Sequence, residues 1–159
     1  MDYTRNSDLT YYESHPDDAN CGSYALRLNE WYDPEEYFED INGDIRGWIE
    51  EMYEEGYSDC EITDIYSSIL VEGMLQEFEG ELEPCCGAPA RNSNEELIAF
   101  CTFCRWEPDY DSDYDFHFKV FRNGSWLEKN GSERVKFCEE DEWGRYTGDV
   151  YYFYHKIGE

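Results

Sequence analysis

Residues Asp115–Lys129 read DFHFKVFRNGSWLEK. Phe116, Phe118 and Val120 alternate along an extended segment, the period of a strand with one buried face. Asn123-Gly124 follows, the dipeptide favoured in two-residue hairpin loops because both positions take positive φ. Ser125–Lys129 is then the returning strand. This hairpin marks the second half of the chain as antiparallel β. Upstream, Leu97–Phe103 has strand character. Downstream, Asn130-Gly131 marks a further turn, before a strand near Glu133–Phe137 and an aromatic-rich strand at Val150–His155. The tract Glu107–Asp115, EPDYDSDYD, reads as an acidic loop. Its aspartates repeat at i+2 but lack the Gly and Glu of an EF-hand loop.

The first half has a different period. In Asp44–Glu55 the residues Ile45, Trp48, Ile49, Met52 and Tyr53 form one apolar stripe at helical spacing, with Gly56 as a stop. Ser58 and Glu61 make the S-x-x-E pattern of a helix start, and Ile62, Ile65, Ile69 and Leu70 continue an apolar face. A shorter helix is expected over Ser23–Trp31, ending before Asp33-Pro34. The fold class is therefore α+β, with acidic N-terminal helices followed by a mostly antiparallel β-sheet. One domain is expected over 1–159: a mainly helical segment over 1–84, a cysteine-rich insert over 85–104 and a sheet over 105–159.

The 159 residues hold 39 Asp and Glu against 12 Lys and Arg, a formal net charge of −27. Direct binding of nucleic acid or of an anionic membrane is excluded by that balance, since phosphate contacts depend on Lys and Arg. The partners it favours are cations and basic proteins. Aromatics at 18% argue for a packed core rather than a disordered chain. Leu28–Ala90 contains 19 acidic residues and one basic residue, Arg46, so most of the charge lies on the helical segment. Lys119, Arg122, Lys129, Arg134 and Lys136 are expected to cluster on the sheet. The opening MDYTRNSDLTYYE lacks the basic and apolar regions of a secretory leader, and no apolar run is long enough to span a bilayer. A cytoplasmic location is expected.

Cysteine is the next signal, with seven residues. Cys85-Cys86 and the C-x-x-C pair Cys101 and Cys104 flank a short loop. Four thiolates suit tetrahedral zinc in a closed, structural site. The set resembles a zinc ribbon or knuckle, although its first pair is adjacent. Cys60 and Cys138 read as small buried apolar residues.

Two functional expectations follow. Asp44–Glu55 spans about 18 Å at ~1.5 Å per residue, and its five carboxylates are spaced at about the ~3.4 Å of phosphates along a DNA strand. Together with the size and charge, this resembles phage-encoded acidic inhibitors, the DNA-mimic and anti-CRISPR proteins. The resemblance implies a non-enzymatic, zinc-stabilised inhibitor that occupies a basic nucleic-acid-binding protein, such as a type II CRISPR effector nuclease. Glu50, Glu51, Glu54 and Glu55 would make the contact, with Asp109, Asp111 and Asp113 second.

The alternative is an enzyme. Asn20-Cys21-Gly22-Ser23 places a cysteine at a helix start, where the dipole favours thiolate. His117 lies on a downstream strand and Glu128 on the next. This order resembles papain-like and NlpC-type cysteine hydrolases, with the third partner a Glu in place of the usual His, Asn or Gln. The resemblance implies Cys21 as nucleophile, His117 as base and Glu128 as the residue that orients the histidine.

Overall fold

The computed structural model describes residues 11–90, 92–107 and 111–157. Its helices come first: α1 (Tyr11–Ser14), a 3-10 turn (Pro16–Asp18), α2 (Cys21–Leu26), α3 (Glu35–Asn42), α4 (Ile45–Glu54) and α5 (Asp59–Glu77). The strands are β1 (Leu82–Cys85), β2 (Glu95–Glu107), β3 (Asp111–Arg122), β4 (Ser125–Lys129), β5 (Val135–Phe137) and β6 (Tyr151–Lys156). They form one antiparallel sheet in the order β1-β6-β2-β3-β4-β5. The expected α+β class holds. Among the described residues, no helix is long and apolar enough to cross a membrane.

The local signals act as their chemistry requires. Asp44 caps α4 by accepting from the Gly47 amide at 3.1 Å. Ser58 and Glu61 form the reciprocal capping box of α5, at 3.2 and 3.1 Å. A side-chain cap of this kind is worth about 1 kcal/mol. Asn123 and Gly124 take φ of 54° and 80°, so the β3–β4 hairpin turns with both central residues left-handed.

Helix α5 lies on one face of the sheet. Tyr66, Leu70, Met74 and Phe78 pack there with Ile98, Phe100, Phe118, Val120 and Phe153. The polar groups at this seam are paired: Thr63 with the Cys104 backbone, and Ser67 with Thr102 at 2.5 Å. The segment after β5 folds over the opposite face. There Cys101 contacts the Gly148 carbonyl at 3.2 Å, and the Phe103 ring meets Tyr146 edge-on at 5.6 Å.

Several expectations are corrected. The acidic tract is not simply a loop, because β2 runs to its first residue, β3 starts at Asp111 within it, and Glu107 pairs with Asp111. Charge pairing makes this tolerable: Arg105 pairs across the strands with Asp113 at 3.4 Å, and Arg145, from the segment between β5 and β6, reaches Asp115 at 2.6 Å. The short helix starts at Cys21 and stops at Leu26, where Arg27 takes a left-handed conformation. Helix α3 and strand β1 add to the expected elements. The expected basic cluster on the sheet is largely internal, since Lys119, Arg122 and Lys129 are buried while Arg134 and Lys136 are exposed. Cys60 is exposed and Cys138 half-buried, because Cys60 lies in the first, solvent-facing turn of α5.

Candidate active site

Cys21 is the first residue of α2, and its position is held from both sides. Asn20 accepts from the Ser23 amide at 3.0 Å and the Ser23 hydroxyl at 2.7 Å, while its own amide donates to the Tyr32 carbonyl at 2.6 Å. The Ser23 oxygen also lies 2.5 Å from the Glu30 carbonyl, so its single hydroxyl proton is shared between the two acceptors. At the other end, Arg27 and Arg122 share the Glu96 carboxylate, at 2.9 and 2.7 Å, and Arg122 also donates to the Tyr24 and Ala25 carbonyls. Burial pushes Glu96 up, yet the hydrogen bonds from Arg122 and Arg27 outweigh it and bring the carboxyl down to about 2. A short helix that could not persist alone is thereby fixed to the sheet.

The sheet brings the other two residues. β4 pairs with β3 only over Val120–Arg122, which leaves the β3 edge near Phe118 open to α2. Gly22 is needed there, since a Cβ would lie 2.8 Å from Tyr32 and 3.1 Å from the Phe118 ring. His117 precedes Phe118, and its Nε2 lies 2.6 Å from Oε1 of Glu128 on β4. The imidazole stacks on Tyr146 at 5.3 Å and meets Trp143 edge-on. With Nε2 committed to Glu128, Nδ1 is the nitrogen left for proton transfer. The His117 hydrogen bond holds the Glu128 carboxyl below its usual range despite partial burial.

Cys21 and His117 line one cavity of about 630 Å³. Burial pushes the Cys21 thiol up to about 12, against a backbone hydrogen bond from Phe118 and weaker ones from Gly22 and Cys21 itself. The expectation that the helix start would favour a resting thiolate is thus corrected: desolvation exceeds the pull of nearby amides. The cavity also receives Asp33, Glu35, Asp115, Glu133 and Arg145. Burial pushes Glu35 up to about 7, although the Tyr66 hydroxyl donates to it. The site thus combines a neutral thiol, an oriented imidazole and amides beside the sulfur.

The four cysteines of the expected zinc knuckle are not brought together. Cys101 and Cys104 are three residues apart on regular strand β2, so they face opposite sides of the sheet. Cys85 pairs with Tyr152 of β6, which stands between β1 and β2, and Cys86 is exposed beyond the strand end. Zinc ligation needs all four sulfurs about 2.3 Å from one point. Among the described residues, no group of three or more His, Cys, Asp or Glu side chains is placed to hold a metal ion.

Of the expected partner-contact residues, Glu50, Glu51, Glu54 and Glu55 are all exposed on or next to α4. Asp113 is exposed and paired with Arg105. Asp111 begins β3, and Asp109 lies outside the described residues.

Sequence reasoning missed the support. Lys129, adjacent to Glu128, sends its ammonium to the carbonyls of Pro16, Ala19 and Gly131, tethering the segment that leads into Asn20-Cys21. Lys119 donates to the Glu139 and Glu142 carbonyls at 2.5 and 2.6 Å and sits over the Trp143 ring. This fixes the segment that carries Tyr146. The only hint in the sequence is a pair of lysines among strand residues. Comparison with protein-family models, curated proteins and solved structures finds no match for this chain.

Proposed function

We propose that this chain is a cysteine hydrolase of papain-like chemistry, acting through Cys21, His117 and Glu128. The observation that carries the reading is the convergence of a helix-start cysteine and a Glu-bound histidine on one cavity. In this mechanism the Cys21 sulfur attacks a carbonyl carbon while His117 Nδ1 accepts the thiol proton. Proton removal coupled to attack suits a thiol that burial keeps neutral at rest. The carbonyl π electrons move to oxygen, where the amides at the start of α2 offer donors not used within the helix. Collapse expels the leaving group, which takes the proton from His117, and leaves a thioester on Cys21. Water then attacks the thioester, giving up a proton through His117, and releases the acid and the free thiol. Glu128 fixes the tautomer and stabilises the imidazolium that forms twice in the cycle.

The test is acyl trapping. p-Nitrophenyl acetate should release p-nitrophenolate in a burst and leave an acetyl group on Cys21, located by peptide mass mapping. His117→Ala should reduce that acetylation by about 10²-fold or more, the scale of lost general-base catalysis. Acetyl groups only on exposed Cys60 and Cys86, or equal rates in both proteins, would sink the reading.

A second reading rests on a different observation, the exposed carboxylates Glu50, Glu51, Glu54 and Glu55. In it the chain is an acidic inhibitor of a basic nucleic-acid-binding protein, of the anti-CRISPR kind, with zinc as a structural stabiliser. The surface suits that role. The cysteine geometry gives the zinc component no support, since ligation would require β2 to be rearranged. Native mass spectrometry reads this directly: one zinc per chain, lost in C101S/C104S, supports it, and a metal-free mass removes it.

A further inference from the structure

The cavity around Cys21 carries more negative charge than acyl transfer needs. Its acids do not contribute equally. Asp115 is compensated, with Arg145 at 2.6 Å and the Tyr146 hydroxyl at 3.2 Å. Glu35 is partly withdrawn from solvent and accepts from the Tyr66 hydroxyl. Asp33 and Glu133 remain, both exposed, and they come from separate segments: the link before α3 and the turn between β4 and β5. One Asp33 oxygen accepts from the Glu35 amide at 2.9 Å, which orients the carboxylate. Trp31 lines the same cavity with half its surface, 51%, in solvent. An indole face attracts a cation by its quadrupole, and carboxylates beside it add charge to that attraction.

Resting on the hydrolase reading, we propose that the Cys21 cavity selects acyl substrates bearing a cationic side chain, a lysine or arginine beside the scissile peptide bond, held by Asp33, Glu133 and Trp31. The chemistry of the wall carries this. A neutral side chain gains nothing from these carboxylates and an anionic one is repelled, whereas an ammonium or guanidinium is attracted by both acids and by the exposed ring that share the cavity wall. A cleft whose lining is net negative, as here with one arginine among four acids, also concentrates cationic ligands, by about tenfold or more.

Two measurements test it, and only one depends on hydrolysis. The first is the rate of Cys21 modification by a cationic trimethylammonium-ethyl methanethiosulfonate and by its anionic sulfonatoethyl counterpart, with Cys60 as internal reference. The cation-to-anion ratio at Cys21 should exceed that at Cys60 by about tenfold. It should fall toward the Cys60 value in D33N/E133Q, where the substituted amide side chain at position 33 keeps an oxygen to accept from the Glu35 amide. The second is cleavage of fluorogenic peptides that differ only in lysine, norleucine or glutamate beside the scissile bond, with the lysine peptide expected to show the highest kcat/KM. A labelling ratio unchanged in D33N/E133Q, or cleavage without charge preference, overturns the inference. Charge-selective labelling with no peptide cleaved supports the cation selectivity and counts against the hydrolase reading alone.

Discussion

Cys21, His117 and Glu128 show how residue chemistry depends on what surrounds it. The types and their order were legible in the sequence, since the Asn123-Gly124 turn sets a register in which residues 117 and 128 are diagonal neighbours on one face of the hairpin. The state of the thiol was not legible. Burial pushes it up to about 12 from an ordinary 9.0, so by this group stability is present below pH 9 and lost as pH rises toward 12. Glu96 acts in the opposite range: its stabilisation is present above its ordinary value near 4.5 and lost as pH falls toward 2. Gly22, next to the sulfur, gives a direct test of the packing. Gly22→Ala places a methyl group against Tyr32 and Phe118, and should cost about 1–3 kcal/mol in thermal or denaturant unfolding. It should also reduce acyl transfer by more than its unfolded fraction explains, since relief of the clash moves α2 off β3. Unchanged stability would mean that α2 does not dock so closely.

At the scale of elements, strong local signals were readable and weak ones were not. The stripe in Asp44–Glu55, the capping box at Ser58 and the Asn123-Gly124 turn each specify an element within its own sequence. Helix α3 buries one residue, Phe38, and is held by α5 through Tyr37 against Gly73. Its local signals are Pro34, the acids Glu35 and Glu36 in the first turn and Gly43 at the end, a start and a stop with only eight residues between them. Strand β1 contains a proline and only four residues, and exists because β6 pairs with it. The acidic ends of β2 and β3 extend with Arg105 opposite Asp113 across the strands and Arg145 of the β5–β6 segment on Asp115, pairings visible only once the chain is folded. The placement of Cys101 and Cys104 was not legible for a related reason: spacing alone does not reveal that the segment is a strand, which puts the two on opposite faces. The hairpin β3–β4 has the widest reach, since Glu128 orients His117 while Lys129 tethers the segment before Cys21.

At the scale of the whole molecule, the charge of −27 is sharpened by where the few cations are. Lys119, Lys129 and Arg122 are internal, bonded to backbone carbonyls or to Glu96, so the exterior is more acidic than composition alone conveys. That exterior is what the inhibitor reading uses. It predicts that binding to a purified basic effector weakens steeply with salt and is relieved by charge reversal at Glu51 and Glu54. Salt-insensitive binding would count against it. The hydrolase reading instead places the work in one cavity, with the acidic surround setting which substrates enter. Its central claim is that His117 removes the Cys21 proton, and the pH profile of Cys21 alkylation by neutral iodoacetamide tests this most directly. The account predicts appreciable labelling at neutral pH in the wild type, and in His117→Ala a shift of the whole profile into the alkaline range of a buried thiol. Superimposable profiles in the two proteins would contradict it.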